Sequence, residues 1–247
     1  MAGLFRSKPN KYSESYFPLY ADIHSHILPG IDDGSPDIET SVALVQGLMK
    51  LGITHSTATP HIIGDMYRNN SSTINSARDS LRTALAERNI DFKVNAAAEY
   101  MMDDYFLELL RDKTALLTLK DDLVLTEFSY ADKPGNIEEM VFKIITEGYR
   151  PVLAHPERYA YFHDDLQQYD YLRDLGFLLQ VNLLSLAGYY GKPAARAASY
   201  IMKNDLASFA GTDLHHDRHM QALHHPVNRG IFEDVFAGKR MNEEMAF

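Results

Sequence analysis

One pattern constrains this chain more than any other. A short β-prone run ending in a polar residue recurs seven times, with a helix-like stretch in the intervals. The runs are LYADIHSH, ending at His24 and His26; ITHSTATPH, at His61; FKVNAAAEY, with Glu99; and LVLTEFS, with Glu127. YRPVLAHPER follows with His155, LLQVNLLS with Asn182, and ASFAGTDLHH with Asp213 and His215. Counted from His24, successive end residues lie 37, 38, 28, 28, 27 and 31 positions apart. Between them, SVALVQGLMKLG and STINSARDSLRTALAERN carry apolar residues at helical spacing, and NIEEMVFKIITEG and DLQQYDYLRDLG close on a helix-stopping glycine. AARAASYIMKND reads the same way.

Strand and helix alternating at such steps indicate parallel βα units. A closed βα barrel gathers its functional residues at the C-terminal ends of many strands. An open doubly wound sheet collects them at one switch point. Ligand-type residues at nearly every strand end therefore favour an α/β barrel of seven units, and 247 residues suit a single domain of that kind. Residues 1–18 read as an N-terminal extension and residues 19–247 as the domain.

Each motif has a plain structural reading beside a chemical one. His24 and His26 are two apart, so on a strand both imidazoles share a face; they could equally be half-exposed strand histidines. Asp213 and His215 repeat that spacing in TDLH, and closure of a barrel would bring the two pairs together. IDDGSPD, which contains Asp33, could be only a turn and helix cap. Pro60 could simply end a strand and leave His61 on the surface. Glu99 and Glu127 follow apolar runs, and a buried carboxylate needs a cation or donors; a salt bridge would serve. His155 could be a satisfied core histidine, and Arg158 could pair with a surface acid or clamp phosphate oxygens. Arg218 is a weaker phosphate contact. His55, His163, His216, His219, His224 and His225 have no comparable placement.

Composition narrows the chemistry. The chain has no cysteine, which excludes disulfides, thiolate metal sites and cysteine nucleophiles together. Nine nitrogen and oxygen ligands are too many for one Zn²⁺, which takes about four. They suit two or three divalent ions, with Mn²⁺, Fe or Zn²⁺ fitting better than Ca²⁺. A formal charge of −10 argues against a nucleic-acid partner. The absence of a long apolar segment argues against membrane insertion and makes the cytoplasm the expected location.

DIHSH, DDG, TPH, AEY, EFS, AHPERY and TDLH, in this order, resemble the PHP (polymerase and histidinol phosphatase) superfamily. DIHSHILPGIDDG and AHPERY are most similar to its bacterial metal-dependent protein-tyrosine phosphatases of capsular and exopolysaccharide synthesis, across residues 20–226. The resemblance implies a distorted (β/α)₇ TIM-like barrel with a three-metal centre. It places His24, His26, Glu99 and Asp213 on one ion, and Glu127 and His155 on a second that Glu99 bridges. Asp33, His61 and His215 go to the third, and Arg158 to phosphate. The N-terminal extension, the IIGDMYRNN stretch after TPH and the short C-terminus depart from the family pattern.

It further implies phosphomonoester hydrolysis by metal-activated water, with a phosphotyrosine protein as substrate, for instance a bacterial tyrosine kinase. Three divalent ions would carry six positive charges against four ligand carboxylates, reversing the local field of an acidic chain. A small-molecule phosphatase of the histidinol-phosphate type, a phosphodiesterase and a non-catalytic binding module are the alternatives.

Overall fold

A computed structural model describes residues 17–237 and 240–245. The expected extension therefore lies outside the described residues except for Phe17 and Pro18, and Phe17 is buried edge-on against Phe232.

All the ladders between strands are parallel. β1 (His55–Ala58) pairs with β3 (Lys93–Ala96). β2 (His61–Ile62) opens a second sheet and continues through β4 (Glu99–Met101), β5 (Leu123–Glu127) and β6 (Arg150–Ala154). β7 (Leu178–Asn182) and β8 (Ala207–Gly211) complete it. ITHSTATPH and FKVNAAAEY thus each break into two short strands. The break falls at Thr59–Pro60 on one side and Ala97–Ala98 on the other, and backbone bonds from Ala97 N to Ala58 O and from Glu99 N to Pro60 O span it. Proline cannot donate to a ladder, which accounts for the break.

LYADIHSH was expected to be a regular strand, and it is not one. It forms isolated bridges instead, because it is held by different neighbours along its length. On one side Asp22 N donates to His55 O, Thr57 N to Asp22 O and Thr59 N to Ser25 O. On the other, Asp213 N donates to His24 O and His26 N to Leu214 O. The segment thus sits between β1 and the residues that follow β8.

Alternation along the strands sorts their side chains between two apolar clusters. Val94, Val124, Leu153 and Val181 belong to a large one shared with helix residues. These include Val45 of α1 (Ile38–Lys50), Leu81 of α2 (Ser71–Glu87), Ile144 of α4 (Ile137–Thr146) and Ile201 of α7 (Lys192–Lys203). Ile23, Ala97, Leu125, Val152, Ala154 and Phe209 form a smaller one. Burial on both faces is normal for parallel strands. Glu99 shares the pleat face of Ala97, and Glu127 that of Leu123 and Leu125, so the polar cluster begins where the smaller apolar one ends.

Four helical stretches had no specific sequence expectation: α3 (Asp104–Arg111), α6 (Leu183–Leu186), α8 (Asp217–His224) and α9 (Pro226–Phe236). α5 (Gln168–Asp174) is shorter than DLQQYDYLRDLG suggested. α1 starts where Asp37 accepts a bond from Thr40 N, and α2 where Asn70 and Thr73 form a capping box.

Asn242 fastens the seam. Its buried amide donates to Ala21 O at 2.9 Å and to Ala210 O at 2.7 Å. Replacing Asn242 with Ala strands both carbonyls, so chemical denaturation should report a loss of about 1–3 kcal/mol. A change under about 0.5 kcal/mol would show that the amide does not hold the seam.

Candidate metal centre

Glu99, fully buried at the start of β4, is the hub. Its Oε1 lies 3.0 Å from His155 Nε2. Its Oε2 lies 3.3 Å from His24 Nε2, 3.3 Å from His26 Nε2 and 3.2 Å from His61 Nδ1. His61 stands opposite Glu99 in the parallel ladder, so register alone makes that pair. Asp213 Oδ1 adds contacts of 3.4 Å to His24 Nε2, 3.6 Å to His26 Nε2 and 3.4 Å to His215 Nδ1. Glu127 Oε1 lies 3.0 Å from His61 Nδ1. Asp33 Oδ1 lies 3.5 Å from His61 Nε2 and 3.6 Å from His215 Nε2.

All nine sequence-derived ligand residues therefore meet in one place. Atoms sharing one ion at about 2.1 Å sit about 3.0 Å apart in an octahedron and about 3.4 Å apart in a tetrahedron. Seven of the ten spacings above fall in that range, and the other three, at 3.5–3.6 Å, lie just beyond it. His61 Nδ1, Glu99 Oε2 and Glu127 Oε1 are buried without any hydrogen-bond partner, although they face one another. Such orphans are costly, and a shared cation would satisfy all three.

Four groups could hold an ion: His24, His26 and Asp213; His24, Glu99 and His155; His61, Glu99 and Glu127; and His26, Asp33, His61 and His215. His61 presents one ring nitrogen to Glu127 and the other to Asp33. It thus stands between two of the groups implied by the resemblance rather than wholly in one.

Local backbone serves these contacts. His155 and Asp213 both adopt left-handed conformations, with φ of +36° and +51°. That placement costs of order 1–3 kcal/mol per residue. Gly34 of the DDG turn is needed for close approach, since a Cβ there would lie 2.1 Å from His26 O.

Asp32, not singled out in the sequence, is the buried acid of that turn. It accepts from His26 Nδ1 at 2.8 Å and from Gly34 N at 3.0 Å, while the Asp33 side chain is 53% exposed and faces the histidines. Spacing does not distinguish adjacent aspartates; the need of a ligating imidazole for an acceptor behind it would have pointed to one. Asp22 is likewise buried, accepting from Thr212 N and Thr212 Oγ1, and burial raises its pKa to about 6.

The cavity over the cluster, about 250 Å³, is also lined by Tyr130, Arg158, Tyr190, His216 and His219. His216 and His219, set aside in the sequence, thus join the site. Arg218 does not line the cavity and is exposed on the first turn of α8. Arg158 is the last residue of a 3₁₀ turn over Pro156–Arg158, with Nη1 2.6 Å from Asp213 Oδ2. Its guanidinium lies 5.0 Å from the Tyr130 ring centroid and 4.2 Å from that of Tyr190.

The family model for capsular polysaccharide synthesis, CpsB/CapC, matches residues 20–228. The chain belongs to the CpsB/CapC family. It is 31% identical over 197 residues to the tyrosine-protein phosphatase YwqE of Bacillus subtilis, covering 78% of this chain and 76% of that one. It is 29% identical over 200 residues to the tyrosine-protein phosphatase CpsB of Streptococcus pneumoniae, covering 78% and 82%. A crystal structure from work on YwqE and CpsB, described there as unique metal-dependent tyrosine phosphatases, superposes with a TM-score of 0.74 at 26% identity over 90% of this chain and 96% of that one. A histidinol phosphate phosphatase from Lactococcus lactis, solved with zinc, L-histidinol and phosphate, shares the fold with a TM-score of 0.54 at 15% identity, over 88% and 93%.

Protonation of this CpsB/CapC centre opposes metal loading. Burial works against charging His24, but Glu99 and Asp213 outweigh it and raise its pKa to about 9. An ion taking His24 Nε2 below pH 9 must displace a proton. Mn²⁺ affinity should therefore rise as pH rises from 6.5 to 9, by roughly tenfold per unit for each proton displaced. Calorimetry in buffers of different ionisation enthalpy checks this, and a pH-independent affinity with no proton release would contradict it.

Proposed function

We propose that this chain is a metal-dependent phosphomonoesterase that hydrolyses phosphotyrosine on protein substrates, a bacterial tyrosine kinase among them. The observation that carries the reading is the convergence of His24, His26, Asp33, His61, Glu99, Glu127, His155, Asp213 and His215 around unpartnered buried ligand atoms, in a chain of the CpsB/CapC family. We assign these nine residues to two or three divalent ions, Mn²⁺ foremost, with Fe or Zn²⁺ as possible occupants. A cytoplasmic setting belongs to the same reading; among the described residues no helix is long and apolar enough to cross a membrane.

We also read the architecture as a closed, distorted (β/α)₇ barrel. Backbone bonds on both sides of the 19–26 segment support closure, as does the small cluster to which five strand-forming regions and that segment contribute.

Divalent cations bound here would supply water acidic enough to act as nucleophile near neutral pH. The chain's own residues do the rest. Asp213 divides its two oxygens, turning Oδ1 to the histidines and Oδ2 to Arg158. The Tyr130 and Tyr190 rings hold the guanidinium at the cavity, where its remaining donors can take phosphoryl oxygens as charge develops on them. Tyrosinate, with a free pKa near 10, leaves without much help from an acid, so no general acid is assigned.

Three substrates test the reading: a phosphotyrosine peptide, a phosphoserine peptide and histidinol phosphate, each given to Mn²⁺-loaded enzyme. Phosphotyrosine should be turned over best. Exhaustive chelation should abolish turnover and thiol-alkylating reagents should leave it unchanged, since there is no cysteine to form a phosphoenzyme. Preference for histidinol phosphate, or full activity after chelation, would sink the proposal.

Arg158→Ala should keep its metal, because guanidinium does not ligate cations, while kcat/KM falls roughly 10²-fold. Arg158→Lys should recover only part, having lost the bidentate fork. Near-normal kinetics in the Ala variant at full metal content would remove Arg158 from substrate binding.

A further inference from the structure

Of the seven β-prone runs, only the one containing β7 ends in an amide rather than an imidazole or carboxylate. Yet Gln180 and Asn182 are fully buried. They are two apart on β7, so they share a face, and their side chains link two of the nine ligand residues. Asn182 Nδ2 donates to Asp213 Oδ2 at 2.7 Å, and Gln180 Nε2 donates to Asn182 Oδ1 at 3.0 Å. At the far end His24 Nδ1 lies 2.7 Å from Gln180 Oε1.

The direction of this chain is dictated from one end. An ionised carboxylate only accepts hydrogen bonds. Asp213 therefore takes the nitrogen end of Asn182, which leaves Asn182 Oδ1 for Gln180. Gln180 must answer with Nε2, which leaves its Oε1 for His24. His24 must then carry a hydrogen on Nδ1, so the nitrogen open to a cation, once its own proton is displaced, is Nε2, on the side where Glu99 Oε2 and Asp213 Oδ1 lie. The same bonds hold Asp213 by Oδ2 and leave Oδ1 facing the histidines.

A second observation shows that the structure makes room for this link. A Cβ on Gly211, at the end of β8, would lie 2.8 Å from His24 Cβ and 2.9 Å from Gln180 Nε2. Its φ is not in the left-handed region, so glycine is required here by space alone.

We propose that Gln180 and Asn182 are positioning residues that fix the tautomer of His24 and the orientation of Asp213, so that both present their metal-binding atoms to the same cation. This rests on the metal-centre reading above. β7 then contributes to the site through polarity instead of a ligand.

Calorimetric titration of Mn²⁺ into chelated wild-type protein and into Gln180→Leu, Gln180→Glu and Asn182→Asp tests it. Gln180→Leu keeps bulk but offers His24 no acceptor. Gln180→Glu restores that acceptor. Asn182→Asp sets an acceptor against the Asp213 carboxylate. Gln180→Leu and Asn182→Asp should bind about 10–100-fold more weakly, with unchanged circular dichroism. Gln180→Glu should recover part of the loss. In the Zn²⁺-loaded wild type, nitrogen NMR should show His24 protonated at Nδ1.

Wild-type affinity in Gln180→Leu, or equal weakening in the Leu and Glu variants, would overturn the relay while leaving the metal reading intact. A purely packing role predicts that second result, because both variants disturb the same space. Should Asn182→Asp fail to fold, the two Gln180 variants still decide. Failure of the wild-type chain itself to bind Mn²⁺ or Zn²⁺ would overturn the metal reading and the relay with it.

Discussion

A carboxylate with no access to water must be surrounded by positive charge or donors, and Glu99 sets that condition for this molecule. Four imidazoles meet it, supplied by the 19–26 segment, β2 and the end of β6. They can converge only if those elements run parallel and finish at one level. The ladders provide that: His61 stands opposite Glu99, and Met101 opposite Glu127. The apolar stacking of Leu125, Val152 and Phe209 beneath them keeps water out from below. Strand register, core and polar cluster are therefore one arrangement seen at three depths.

Much of this was legible in the chain. The period-two placement of His24 with His26, and of Asp213 with His215, is a property of extended backbone and needs no tertiary knowledge. The seven β-prone runs and the six intervals between their ends told where those ends would lie. What stayed hidden depends on orientation rather than residue type. Asp32 and Asp33 are the same residue side by side, and only the turn decides which one faces inward. Gln180 and Asn182 have no mark that separates a hydrogen-bonding relay from ordinary buried amides. His216 and His219 join the cavity because the chain turns into α8 just after His215. The left-handed backbone at His155 and Asp213 is decided by the surroundings, since aspartate and histidine enter that region more readily than most residues but do not require it. LYADIHSH read as a strand and pairs on both edges, yet its partners change too often along its length for a regular ladder.

The net charge of −10 misleads about the site unless local geometry is considered. Arg158 is the one Lys or Arg among the residues lining the cavity. Burial works against its charge, but the Asp213 carboxylate prevails and raises its pKa. The aromatic faces of Tyr130 and Tyr190 add attraction without adding negative charge to the cavity.

The seam between the 19–26 segment and the residues after β8 also has a meaning in time. Asp22 and Thr212, 190 positions apart, are bonded through both backbone and hydroxyl, and the neighbouring His24 and Asp213 face each other across the same join. A ribosome must deliver the chain past residue 213 before these groups can meet. Until then the early histidines lack Asp213 and His215, so two of the four groups stay incomplete, while the two that end at Glu127 and His155 do not need the seam. A product truncated before β8 therefore inherits two of the four groups whole and the other two in fragments.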